Sequence, residues 1–112
     1  MTLAECCFDT NGMGAEASIR SMNVARDAAM NRAAALFGES PSRVIVSTAP
    51  DRVDEVLSRA GVAGVPASSV GRVGGRSLRI DIDGKTAIDV SIDEAERIWS
   101  TALERQLAKR VA

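Results

Sequence analysis

The stretch Ser77-Leu78-Arg79-Ile80-Asp81-Ile82-Asp83-Gly84-Lys85-Thr86-Ala87-Ile88-Asp89-Val90-Ser91-Ile92-Asp93-Glu94 decides the fold class. Leu78, Ile80 and Ile82 alternate with Arg79 and Asp81, the period of a strand with one apolar and one polar face. Asp83-Gly84 is a two-residue hairpin signal, returning the chain antiparallel through Lys85 to Val90. Ser91-Ile92-Asp93-Glu94 is a capping box, so a helix follows directly. That last helix carries Ile92, Ala95, Ile98, Trp99, Ala102, Leu103 and Leu107. Its basic end, Arg105, Lys109 and Arg110, suits the negative pole of the helix dipole.

Working back from the hairpin, Gly74-Gly75 reads as a turn and Val65 to Val73 as extended. Val53, Val56, Leu57 and Ala60 form the stripe of a helix that starts near Thr48-Ala49-Pro50-Asp51, with Thr48 as N-cap, and ends at Gly61 or Gly64. Arg43 to Thr48 is expected to be a strand buried on both faces, because Val44, Ile45 and Val46 are β-branched and consecutive. The step from Ser42 to Val73 then reads as a possible parallel crossover. A long Ala-rich helix spans about Asn23 to Phe37, with Met22, Ala25, Ala29, Ala33, Leu36 and Phe37 near one face. Gly38 is expected to close it in the left-handed conformation. Further upstream, Gly14 to Ile19 is a candidate strand, Asp9-Thr10-Asn11-Gly12 a turn, and Thr2 to Phe8 a short helix. The expected fold is α+β: a mixed, mostly antiparallel sheet of four to five strands covered by helices.

At 112 residues, with 46% hydrophobic and 26% charged residues, the chain is sized for one soluble domain, residues 1–112. A net charge of −1 supplies no electrostatic case for nucleic acid or an anionic membrane. One Trp, two Phe and no Tyr leave no platform for stacked bases. There is no His, which removes the commonest general base and metal ligand and makes hydrolase or zinc chemistry improbable. Cys6 and Cys7 are neighbours without a distant partner, and no apolar run is long enough to span a membrane. These features suit a reducing, cytoplasmic setting, with both cysteines expected to pack as small apolar residues of a helix.

Three segments invite functional readings. Asp81, Asp83 and Asp89 faintly resemble a cation loop, but Gly84 comes too early and Ile92 stands where a calcium loop needs Glu, so a solvated hairpin face is the expectation. Gly71-Arg72-Val73-Gly74-Gly75-Arg76 is Gly-rich and basic, yet lies between two strands rather than before a helix; a plain turn between antiparallel strands is expected. Gly38-Glu39-Ser40-Pro41-Ser42-Arg43 joins a helix to a strand through backbone N–H groups, two hydroxyls, a carboxylate and a guanidinium. It can bind an anionic ligand or simply cap the helix.

Resemblance bears on that choice. Leu36-Phe37-Gly38-Glu39-Ser40-Pro41-Ser42-Arg43-Val44-Ile45-Val46-Ser47 resembles the signature of the C-terminal-type domain of phosphoribosylformylglycinamidine synthase large subunits, in the aminoimidazole ribonucleotide synthase superfamily. Leu3-Ala4-Glu5-Cys6-Cys7-Phe8 before Gly14-Ala15-Glu16 is similar to a helix of that domain. Val70-Gly71-Arg72-Val73 is similar to one of its strands, and Ala87-Ile88-Asp89-Val90-Ser91 to its approach to a final helix with a Trp. The resemblance runs in order along nearly the whole sequence. Two features depart from it. An Asp-Gly-Gly segment and a helix expected before Leu3 are missing, so the chain is expected to start partway into the domain. Arg20 to Ala34 is also more helical than the family's loop.

The resemblance implies an ATP-dependent ligase of purine biosynthesis. Formylglycinamide ribonucleotide is phosphorylated on its amide oxygen, and glutamine-derived ammonia displaces the phosphate to leave the amidine. ATP and Mg2+ would belong to the parent enzyme, mostly to its N-terminal-type domains, with nothing tightly bound to this chain alone. Gly38, Glu39, Ser40, Ser42 and Arg43 would face a nucleotide or substrate without being catalytic. The implied partners are the N-terminal ATP-binding-type domains and a glutamine amidotransferase subunit or domain. The isolated chain is expected to be inactive and to self-associate. Two other readings stay open: a domain of another synthase of the superfamily, or a non-catalytic binding or dimerisation module.

Overall fold

The computed structural model describes residues 2–21, 27–38 and 43–111. Four strands, β1 (Ala15–Ile19), β2 (Gly71–Val73), β3 (Ser77–Ile82) and β4 (Lys85–Ser91), form one sheet in the order β2-β1-β3-β4. The β1–β2 and β3–β4 pairs are antiparallel and β1–β3 is parallel. The fold is therefore α+β with a mixed, mostly antiparallel sheet, as the periodicities predict.

The β3–β4 hairpin forms as its alternation requires. Leu78, Ile80 and Ile82 are buried while Ser77 and Arg79 are exposed. Asp83 (φ 51°) and Gly84 (φ 79°) both occupy the left-handed region, the conformation of a tight hairpin turn. The register slips between Ile80 and Asp81, which face Ile88 and Thr86 across the ladder. Ala87 is thus the extra residue of a β-bulge, which explains why Ala87 and Ile88 are consecutive half-buried positions. Ser91 then caps helix α4 (Ile92–Val111), its Oγ accepting from Glu94 N–H at 3.2 Å.

Helices α1 (Thr2–Cys7), α2 (Ala28–Phe37) and α4 lie on the apolar face. The core is Cys7, Ala15, Leu78, Ile80, Ile82 and Ile92, with Leu3, Phe8, Ala35, Leu36, Ile88 and Val90 among the half-buried residues against it. Of the two cysteines only Cys7 packs as expected; Cys6 is exposed. In α2 the half-buried residues include Ala34, Ala35 and Leu36, whereas the predicted face members Ala29 and Ala33 are exposed. An Ala-rich helix carries little contrast between its sides, so the apolar period fixed its rotation poorly. Met22, Asn23 and Ala25 lie outside the described residues.

Helix α3 (Val53–Val62) continues a 3-10 turn at Pro50–Arg52. Its N-cap expectation fails: Ala49 takes the cap position of that turn, and no side chain caps it. The C-terminus follows its glycines. Val65 N–H donates to Ala60 O at 2.8 Å and Gly64 N–H to Gly61 O at 3.1 Å, with Gly64 at φ 71°. That is a Schellman closure, which needs a left-handed residue at Gly64.

The largest correction concerns residues 43–49, which are extended but belong to no sheet. Val44, Ile45 and Val46 are 81%, 64% and 65% exposed rather than buried. Both edges of β1 are taken, by β2 and β3, and the run reaches neither free edge of the sheet. Strand propensity describes a surface that fits a sheet and does not name the neighbour. The crossover expected from Ser42 to Val73 is accordingly absent, and the parallel pair is β1–β3 instead. Gly74-Gly75 is a turn between strands of opposite direction, as expected, although those two strands do not pair with each other. It carries the chain from β2 to β3 past the start of β1, with Gly74 N–H donating to Gly14 O and Gly14 N–H to Gly75 O, both at 2.8 Å.

Candidate functional site

The turn from Gly38 to Arg43 is described only at its two ends. Glu39, Ser40 and Ser42 lie outside the described residues, as does Pro41. Gly38 is the C-cap of α2 at φ −65° and ψ 139°, extended rather than left-handed, and its N–H donates to Ala34 O at 2.8 Å. A Cβ at Gly38 would collide with that same carbonyl oxygen. Glycine is required here by the close return of the chain on its own helix end. Arg43 is exposed. Among the described residues no recorded hydrogen bond or ion pair engages its guanidinium, which leaves it able to meet an anion.

The concave surfaces lined by Glu16, Arg72 and Arg79 and by Thr48, Glu55 and Arg59 include neither Gly38 nor Arg43. No group of three or more His, Cys, Asp or Glu among the described residues is placed to hold a metal ion. At most, Arg43 offers a single guanidinium to a phosphate or carboxylate.

A second concave surface lies on the polar face of the sheet. Its lining includes Glu16, Ser18, Arg72, Arg79 and Asp81, around a volume of about 300 Å³. Alternation in β1 and β3 puts these residues on the face opposite the core. The register sets Glu16 between Arg72 on β2 and Arg79 on β3. Arg79 donates from Nε to Asp81 Oδ1 and from Nη2 to Thr86 Oγ1, each at 3.3 Å. Both polar signs therefore line one shallow surface, and half of its charge is spent within the sheet. The Gly71–Arg76 segment contributes Gly71 and Arg72 to it, not as a phosphate cradle but as strand β2. The alternation Leu78-Arg79-Ile80-Asp81 signalled this face in the sequence; the partnership with Glu16 needed the strand order.

Among the described residues, Cys7 and Asp83 depart from their ordinary titration. Burial, with the neighbouring Cys6, pushes the Cys7 thiol up, and its Sγ donates to Leu3 O at 3.4 Å. A protonated, buried thiol is a poor nucleophile. Asp83 is held below the usual carboxylate range, first by the Ser21 hydroxyl, then by Ser21 N–H at 3.1 Å, with the positive charge of Arg20 adding to both. Asp83 N–H in turn donates to Ile19 O at 3.0 Å. This aspartate is a clasp joining the hairpin tip to the end of β1. Asp81 is engaged by Arg79.

Trp99 is 56% exposed, its ring 5.3 Å from that of Phe8 and tilted by 40°. It anchors α4 to the end of α1 by one side only. No helix among the described residues is long and apolar enough to cross a membrane.

Comparison with known proteins gives a consistent result. The family described as "AIR synthase related protein, C-terminal domain" matches residues 1–99. "Phosphoribosylformylglycinamidine synthase subunit PurL" of Moorella thermoacetica is 39% identical over 74 residues, 66% of this chain and 10% of the relative. The protein of the same name from Alkaliphilus metalliredigens is 29% identical over 102 residues, 91% of this chain and 13% of the relative. That from Jannaschia sp. is 45% identical over 58 residues, 52% of this chain and 8% of the relative. The chain thus spans about one-tenth of the length of the curated relatives it matches. No solved structure matches it.

Proposed function

Because the chain belongs to the family of AIR synthase related protein C-terminal domains, we propose that it is such a domain, over residues 1–112, of a phosphoribosylformylglycinamidine synthase. The observation that carries this reading is the family match over residues 1–99, together with relatives that bear that name. The parent enzyme, a C–N ligase, converts formylglycinamide ribonucleotide and glutamine-derived ammonia to the amidine at the expense of ATP, in the cytoplasm. The shared name of the relatives favours this over another synthase of the superfamily.

In this reading the chain supplies a wall of a cleft and not its reacting groups. ATP and Mg2+ are held by the N-terminal-type domains of the parent, and a glutamine amidotransferase subunit or domain delivers the ammonia. Glu39, Ser40 and Ser42 face the ligand from the turn, and Arg43 meets an anionic group of it. Gly38 keeps the turn tight against the end of α2, which sets where Arg43 can reach. The absence of His, and the burial that keeps the Cys7 thiol protonated, both suit a binding rather than a catalytic part.

The test is a graft. Residues 2–111 replace the corresponding domain of the Moorella thermoacetica relative, and the chimera is expressed in a purine auxotroph lacking the synthase. Growth without purines is expected, with KM for the ribonucleotide or ATP raised by Arg43→Ala. A folded chimera that turns over neither substrate would sink the proposal. The isolated chain is expected to show no ATPase activity.

A further inference from the structure

A strand needs an edge to pair with, and this chain carries an unpaired strand and an uncovered sheet edge that do not meet. The unpaired strand is Val44-Ile45-Val46-Ser47-Thr48. It is extended, and among the described residues no hydrogen bond engages its backbone. Val44, Ile45 and Val46 are 81%, 64% and 65% exposed. Neither a charge nor a proline interrupts residues 44–49, so the run lacks the devices that keep an exposed strand from pairing.

The two free edges of the sheet differ. On β4 the bulge at Ala87 distorts the ladder, and the apolar residues Ala87, Ile88 and Val90 are already half-buried. What β4 leaves exposed is Lys85, Thr86, Asp89 and Ser91. On β2 the balance is reversed. Val70 and Val73, with Val65 on the extended approach to the strand, are 38%, 59% and 56% exposed. The backbone of β2 is also available. Ser18 N–H donates to Val70 O at 2.7 Å, and Gly74 N–H donates to Gly14 O at 2.8 Å, so residues 70 and 74 point towards β1. Hydrogen-bonding direction alternates along an antiparallel strand, which turns the N–H and C=O groups of Gly71 and Val73 out to the free edge. That edge offers backbone groups and valines together, the two things that an added β-branched strand recognises.

We infer that residues 44–48 of one copy of this chain pair along the free edge of β2 in a second copy, and the reverse, forming a two-fold dimer by strand addition. Within one chain the run reaches neither edge of the sheet, so the edge it takes is another molecule's. The matching edge is part of the same sequence, and two reciprocal seams close the assembly. The surface is there to be covered: the chain exposes 9020 Å², against about 5,900 Å² for a compact protein of 11.8 kDa. The surplus exceeds the roughly 800 Å² that each partner of a standard interface buries. The dimer does not depend on the enzymatic reading, because its contacts are backbone groups and valines rather than the Gly38–Arg43 turn.

Sedimentation velocity and amide hydrogen exchange on the full chain, over a wide concentration range, test it. A monomer–dimer equilibrium is expected. Amides within residues 44–48 and those of Gly71 and Val73 should gain protection together as the dimer fills. Ile45→Lys puts a charge into the run, and Val73→Pro removes an outward N–H from the edge; each is expected to weaken the dimer about tenfold or more. Ile45 lies outside the sheet, so the circular dichroism of Ile45→Lys should match the native chain's even if Val73→Pro disturbs β2. A chain that stays monomeric at every concentration overturns the inference, as does a dimer that resists Ile45→Lys. So does protection of residues 44–48 that is independent of concentration, which is closure within one chain. Protection of the run without protection of Gly71 and Val73 overturns it too, because the run then pairs elsewhere.

Discussion

The hairpin half of this molecule and the excursion between residues 43 and 70 have similar sequence credentials and different fates. Ser77–Ile82 offers Leu78, Ile80 and Ile82 to a strand, and Val44–Val46 offers three consecutive β-branched apolar residues. The first is buried at Leu78, Ile80 and Ile82; the second is 64–81% exposed. The difference lies in the neighbours. Asp83-Gly84 returns the chain onto β3 within two residues, so its partner is built into the local sequence. Val44–Val46 has no turn to bring it a partner, and its neighbour must come from far along the chain or from another molecule. Local closure makes a strand here more surely than propensity does.

If that contrast is physical, the two regions respond oppositely to the same kind of substitution. Ile82→Ala removes a side chain that is 2% exposed at the centre of the core. A loss of about 2–5 kcal/mol is expected, from lost burial and the cavity left behind. Denaturant unfolding of the chain at low concentration measures it. A loss below about 1 kcal/mol, the scale of an unremarkable substitution, would mean that the sheet is not the stable half. Ser91→Ala comes next. It removes the Oγ that accepts Glu94 N–H at the start of α4, at a cost of about 1 kcal/mol. The helix that this cap starts also carries Ile92, which is fully buried, so the loss should appear in the same unfolding transition.

The sheet's elements were legible in the sequence because each carried its own closure: the hairpin its Asp-Gly, α4 its capping box, α3 its Gly64. The strand order was not. Nothing local says that β2 and β3 flank β1 on opposite sides, since Gly74-Gly75 reads only as a turn between antiparallel strands, whether or not those strands pair. Gly14, which holds both Gly74 and Gly75 by backbone hydrogen bonds, lies some sixty residues away. The candidate site was legible in a different sense. Gly38 to Arg43 stood out by resemblance, whereas its physical content here is Gly38's fit against Ala34 O and an exposed Arg43. The polar sheet face was half legible: alternation placed Arg79 and Asp81 together, but Glu16 joined them only through the parallel pairing of β1 with β3.

The clasp between the hairpin tip and β1 gives a pH test of the sheet. The Ser21 hydroxyl, Ser21 N–H and the nearby charge of Arg20 depress the Asp83 carboxyl in the folded chain. A depressed carboxylate contributes stability above its unfolded value, and that contribution disappears as pH falls through the folded value. Thermal midpoints should therefore decline on acidification, below the usual aspartate range, more steeply in the native chain than in Asp83→Asn. Parallel profiles for the two proteins would remove Asp83 from the account. The effect is small because the group is exposed to solvent.

The smallest effect belongs to the excursion. Ile45→Ala deletes three carbons from a side chain that is 64% exposed and touches no sheet. Surface substitutions of this kind change stability by about 0.5 kcal/mol or less, so the unfolding midpoint should scarcely move while Ile82→Ala lowers it severely. The measurement belongs at concentrations where the chain is monomeric, since burial against a second copy would add its own contribution. The slope of the denaturant transition carries equal weight, because it scales with the surface exposed on unfolding. A segment already exposed adds little to that slope, and truncating Ile45 should leave it unchanged. A loss of 1 kcal/mol or more, or a shallower slope, would show residues 43–48 paired and buried in the monomer, and the contrast between the two halves would then collapse.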